Sequence, residues 1–79
     1  MKIVRSNLRV LTAQKSQRER RRISLRTVAA ETGISRYTVY AFANDTLNEY
    51  PKEVVARLCN YFDCTVGDLL LVEDAPEGV

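Results

Sequence analysis

The sequence predicts an all-α domain of five short helices packed around one core, with chain ends that could pair as a small two-stranded ribbon. Three observations carry this expectation. Residues 24–44 read as two short amphipathic helices joined at Gly33. Residues 51–70 read as a further pair, opened by Pro51 and restarted at Thr65. The chain has 79 residues, and a chain of that size buries roughly 60–65% of its unfolded surface, which suffices for one core and no second domain.

Each element has a local cause. Ser6 or Asn7 can cap a first helix carrying Leu8, Val10, Leu11 and Ala13. It should run to about residue 17, or on through the arginines at 18–22, since no Gly or Pro stops it. Ser24 can cap the second helix, whose Leu25, Val28, Ala29 and Thr32 fall at i, i+3, i+4 and i+7 and form one inward stripe. Gly33 sits where that helix must stop and the backbone must turn sharply, which costs least without a Cβ. Ser35 can cap the third helix. Val39, Phe42 and Ala43 face inward there, while Arg36, Tyr37, Tyr40, Ala41 and Asn44 are expected on the outer side.

Asn44 to Tyr50 forms a polar loop, and Pro51 suits the first turn of the fourth helix because its missing N–H would be unbonded anyway. Val54, Val55, Leu58, Cys59 and Phe62 make that helix's buried stripe. Thr65-Val-Gly-Asp68 reads as a capping box opening the fifth, with Val66, Leu69 and Leu70 closing the core. The expected core is Leu8, Leu11, Val28, Ala29, Ile34, Val39, Phe42, Val55, Leu58, Cys59, Phe62, Leu69 and Leu70. Residues 2–5 and 70–73 are short apolar segments that could pair within one chain or between two. Residues 75–79 are expected as a disordered tail, leaving residues 1–74 as the folded domain.

The segment from 24 to 44 resembles the helix-turn-helix of the phage repressor and Cro-type (xenobiotic-response-element, XRE) family of transcriptional regulators. Ala29 stands four residues before Gly33, where the next helix crosses close by. Ile34 plugs the turn, Val39 and Phe42 anchor the recognition helix, and Thr32-Gly33-Ile34-Ser35 matches the family's turn in type. Residues 51–70 look like the family's fourth and fifth helices, so the resemblance covers roughly residues 7–70. It implies a compact repressor-like domain that inserts the helix at about 35–44 into the major groove of double-stranded DNA, as a homodimer on a two-fold operator. Two positions depart from the pattern. Leu25 stands where the family commonly has a phosphate-gripping Gln, and the loop after the recognition helix carries Asp45 and Glu49, whose charge would repel phosphate.

On that reading the outer residues acquire roles. Arg36 can reach a guanine edge, where its fork bonds O6 and N7 together, or can contact a backbone phosphate instead. Tyr37 and Tyr40 can pack on a thymine methyl or bond a phosphate, and Ala41 would allow close approach to a base. Ser24, Ser35, Thr38 and Asn44 are expected phosphate donors; Arg18, Arg20, Arg21 and Arg22, directly before the helix pair, either join them or form a solvated charged surface.

Charge distribution points the same way. Residues 1–22 hold eight basic residues against Glu19 alone, a balance of +7, while residues 63–79 carry a balance of −5, so the net +2 is a cancellation. A basic stretch attracts phosphate backbones through counterion release, and the folded domain is expected to be strongly dipolar.

Other classes find little support. There is no His, no nucleophile beside a base and no Gly-rich phosphate loop, so no catalytic residue, cofactor or small-molecule ligand is expected. Cys59 and Cys64 are the only cysteines; metal binding would need two more ligands, and both are expected reduced in a cytoplasmic protein. No apolar run approaches the ~20 residues of a membrane span, and residues 1–20 lack the hydrophobic segment of a signal peptide. The rival reading is a protein–protein module of antitoxin or phage-partner type, using the tyrosine-bearing helix face.

Overall fold

The computed structural model describes residues 1–76; of the expected tail, residues 77–79 lie outside them. The elements are β1 (Lys2–Ser6), α1 (Leu8–Glu19), α2 (Leu25–Thr32), α3 (Arg36–Ala43), α4 (Lys52–Phe62), α5 (Val66–Leu69) and β2 (Leu70–Asp74). All five expected helices form, and the ends pair within one chain.

The ribbon is antiparallel, with Lys2 opposite Asp74 and Ser6 opposite Leu70. Its ladder continues at both ends. The Ala75 N–H donates to the Met1 carbonyl at 2.8 Å, one residue beyond β2. At the other end the Asn7 N–H donates to the Leu69 carbonyl at 2.9 Å, and Asn7 Nδ2 donates to the Asp68 carbonyl at 3.0 Å. Asn7 therefore occupies the N-cap position without capping through its side chain. The Ser6 hydroxyl takes the Leu8 N–H instead, at 3.1 Å.

Each helix contributes to one core. Leu8 of α1, Val28 of α2, Val39 and Phe42 of α3, Leu58 of α4 and Leu69 of α5 are the largest fully buried side chains. Ile23, Leu25, Ala29, Ile34, Ala43 and Phe62 complete the cluster. Leu11, Val55, Cys59 and Leu70, expected inside, pack at its edge. Val66 does not close the core: it is 53% exposed, because a four-residue helix turns a single side chain, Leu69, inward. Val10 and Ala13 are also exposed. Leu47, Tyr50 and Tyr61 add cover that apolar periodicity did not reveal, and the Tyr50 ring meets Phe42 edge-on at 5.1 Å between centroids.

The inner face of α1 is largely polar, running Leu8, Thr12, Lys15, Ser16 at helical spacing. Thr12 Oγ1 donates to the Leu8 carbonyl at 2.8 Å. Lys15 Nζ donates to the Tyr61 carbonyl at 3.1 Å, lies 4.5 Å from the Tyr61 ring centroid and pairs with Glu19 at 2.7 Å. Ser16 Oγ accepts the Ile23 N–H at 2.9 Å and donates to the Ile23 carbonyl at 3.2 Å. These bonds fold the chain back after α1 and fix where the helix ends. Arg20 terminates it in the left-handed region, φ 54°, so the helix stops short of the arginine run's end without a glycine.

The turn after α1 is locked to α2 and α4. Arg21 donates two parallel bonds to Glu31, both 2.8 Å, and a third to Glu19 at 2.9 Å. The Tyr61 hydroxyl donates to the same Glu31 carboxylate at 2.5 Å. Arg21, then Tyr61, hold the Glu31 carboxyl down at about 2. Burial, followed by Glu31, pushes the Tyr61 hydroxyl up to about 12.

Phe42 and Glu31 give this packing two measurable consequences. Phe42→Ala should cost about 3–5 kcal/mol through lost burial and the cavity left behind, a large share of the ~5–15 kcal/mol a small domain holds. An unchanged thermal midpoint would remove Phe42 from the core. Glu31 has a folded pKa below its unfolded one, so its contribution is complete above about 4.5 and fades as pH falls toward about 2. Glu31→Gln should flatten that part of the curve of denaturation midpoint against pH; parallel wild-type and variant curves below pH 4.5 would show that the pairing does not couple to folding.

Candidate nucleic-acid interface

The interface begins with two capped helices and a left-handed glycine. The Ser24 side chain accepts the Thr27 N–H while the Thr27 side chain accepts the Ser24 N–H, a closed capping box at the start of α2. Gly33 adopts φ 77° and its N–H donates to the Ala29 carbonyl at 3.0 Å. A Cβ at Gly33 would lie 3.3 Å from Arg57 Nη1. That neighbour is the flexible end of a side chain, so the positive φ is the stronger reason for glycine. Thr32 Oγ1 donates to the Val28 carbonyl at 2.6 Å and accepts the Ile34 N–H at 3.2 Å, which carries the chain around the turn. Ser35 then caps α3 by accepting the Thr38 N–H at 3.2 Å. Ala29 is 5% exposed, as a close crossing of α2 and α3 requires.

With Val39, Phe42 and Ala43 buried, α3 presents Arg36, Tyr37 and Tyr40 to solvent. Tyr37 is 81% exposed and Tyr40 38%. Thr38 is half-buried beside Ser35, to which it is hydrogen-bonded. Ala41 departs from the outward position its helical phase predicts: it is 7% exposed. The chain folds back after α3, and both the Thr46 N–H and the Thr46 hydroxyl donate to the Ala41 carbonyl, at 3.0 and 3.3 Å. A methyl-sized side chain beside that return is covered.

Asn44 lies exposed at the end of α3, where its Oδ1 accepts a bond from Arg9 Nη2 at 2.6 Å. Arg9 thereby becomes a neighbour of α3 that the sequence did not single out. The signal was present only as spacing, since Arg9 lies one step around α1 from the inward Leu8. Arg9, Ser24 and Tyr40 together line an open cleft of about 370 Å³ with Thr12, Ala13, Ile23 and Leu25. A second shallow groove, of about 340 Å³, joins Arg26 of α2 to Arg36 of α3 across Ala29, Ala30 and Ile34. Arg26 was likewise not evident from sequence.

The arginine run does not act as one surface. Arg21 is spent on Glu31 and Glu19. Arg18 lines a groove with Asn7, Phe62, Gly67 and Asp68 that includes no residue of α3. Arg20 and Arg22 are exposed, with Arg22 two residues before the Ser24 cap. Leu25, in the place of a phosphate-gripping Gln, is buried and packs in the core. Asp45, expected to repel phosphate, has φ 59° and turns its Oδ1 to the Ser6 N–H at 2.6 Å, tying the end of α3 to β1. The expected dipole is also reduced locally, because Lys2–Asp74 and Arg5–Glu73 pair the basic first strand with the acidic last one at 2.7 and 2.6 Å.

Two caps, a left-handed turn and an arginine- and tyrosine-bearing outer helix therefore form one contiguous surface flanked by Arg9 and Arg26. Among curated proteins and solved structures no match is found. The family described as the Cro/C1-type HTH DNA-binding domain matches residues 7–75, and the chain belongs to it.

Proposed function

We propose that this DNA-binding domain is a sequence-specific transcriptional regulator, a cytoplasmic repressor that lays α3 in the major groove and binds a two-fold operator as a homodimer. The observation that supports this best is the outer face of α3, where Arg36, Tyr37 and Tyr40 stand exposed while the opposite face is fully buried. Arg36 in the first turn reads a guanine through O6 and N7. Tyr37 and Tyr40 make thymine-methyl or phosphate contacts. Phosphates flank the helix at Ser24, Ser35, Thr38 and Asn44, with Arg9, Arg22 and Arg26 supplying charge on either side. Of the expected arginines, Arg20 is exposed and stays in this set, whereas Arg18 and Arg21 are left out of the proposal because the groove Arg18 lines includes no residue of α3 and Arg21 is paired with two carboxylates.

Arg36→Ala should lose about 1–3 kcal/mol of discrimination at one base pair, measured against operator duplexes selected from a random pool. Arg9→Ala and Arg26→Ala should weaken specific and scrambled duplexes alike, and each should lower the salt slope by roughly one unit, because one phosphate fewer is neutralised. If Arg36→Ala weakened both duplexes equally, Arg36 would touch phosphate and base reading would pass to the tyrosines. A parent protein that bound neither duplex at low salt would instead favour a protein partner on the tyrosine-bearing face.

Ala29→Leu tests the crossing that aims α3. Overpacking there should cost about 1–3 kcal/mol and abolish DNA binding in a protein that still folds. Binding equal to the parent's would mean that the crossing does not set the aim of the helix.

A further inference from the structure

The C-terminus of α4 carries a feature that DNA binding does not use. After Asp63 in the left-handed region, φ 52°, the Cys64 N–H returns to the Cys59 carbonyl at 2.9 Å. This six-to-one closure brings the side chains of its two end positions together, ordinarily as an apolar contact. Here both are cysteines. Both are free and half-buried, and both pack against the core cluster at the two ends of that closure. Cys64 is also reachable: it lines the open groove of about 390 Å³ between α1 and α5, together with Leu11, Arg18, Gly67 and Leu71.

We propose that Cys59 and Cys64 are a modification site, a dithiol that a low-molecular-weight disulfide such as oxidised glutathione converts into an intramolecular disulfide across the end of α4. The fold supplies the proximity, since the backbone closure already holds the two residues on one turn. One protein thiolate attacks a sulfur of the small disulfide, forming a mixed disulfide and releasing a thiolate, which takes up a proton. The second cysteine sulfur attacks the mixed disulfide at the protein sulfur, and its proton leaves with the second small thiol. Two protein thiols are oxidised and one small disulfide is reduced to two thiols. Burial, and next the neighbouring Cys59, push the Cys64 thiol up to about 11, so it is a protonated partner rather than an isolated reactive thiolate. The pair is therefore a reversible two-thiol unit, and its chemistry is independent of the DNA-binding reading.

The full chain titrated with mixtures of oxidised and reduced glutathione, then alkylated and weighed, tests this. Both thiols should disappear together, with a mass lower by two hydrogens, a monomeric product and one linked peptide containing residues 59–64. Dithiothreitol should restore both. The folded chain should close the bond at a lower ratio of oxidised to reduced glutathione than the chain in urea. Cys59→Ser and Cys64→Ser, each checked for folding by circular dichroism, should stop at a stable glutathione adduct on the cysteine that remains. The proposal is overturned by stable adducts on the parent protein, by a dimer linked between chains, by thiols that do not react, or by closure that needs no folding.

Discussion

An eight-residue helix is too short to hold its shape in water, and α3 is held almost entirely by the burial of Val39 and Phe42. Those two side chains are fully buried, and each of the other four helices contributes a fully buried partner to the same cluster. Tyr50 closes one side of Phe42 edge-on. The outer face of α3 is consequently determined from within: rotating the helix to present a different set of residues would expose Phe42. Arg36, Tyr37 and Tyr40 point outward because the apolar positions have no other place to go.

Much of this was legible because it is local. Serines before apolar runs, a glycine between them and the Thr65–Asp68 box each act within one turn of chain and do in the structure what their chemistry dictates, while Pro51 stands one residue earlier than expected, at the N-cap of α4. What escaped the sequence depends on which distant segments meet. Arg21 looks like its neighbours in sequence, yet it alone faces Glu31, ten residues on, whose other partner is Tyr61. Ala41 has an outward helical phase, and its burial comes from the loop that returns to its carbonyl. Arg20 and Asp63 end helices in the left-handed region without glycine, a backbone choice that periodicity does not encode.

Charge needs the same distinction between a run and a surface. The first 22 residues hold most of the chain's positive charge. Folding divides it among a strand paired with acidic residues, a bidentate pair, a groove beside α5 and the rim of α3. Only charge left unpaired and near the helix can act on phosphates, since interactions between exposed charges are screened within about 10 Å at ordinary salt. Arg9 and Arg26, scattered in sequence and close to α3 in space, meet that condition together with Arg22, whereas the paired Arg21 does not.

The polar inner face of α1 explains how such a small domain sets positions so closely. Apolar contacts are non-directional and tolerate small slides, whereas hydrogen bonds weaken steeply with distance and angle. Ser16 fixes the chain just before the Ser24 cap through Ile23, and Arg9 fixes the far end of α3 through Asn44. Lys15 ties the same helix to α4 at Tyr61. One helix therefore holds, by directional bonds, the start of α2 and the end of α3, the two places that flank the exposed residues of α3. Leu8 secures α1 in the core by burial, and its polar stripe sets the spacing between the surfaces that DNA would have to meet at once.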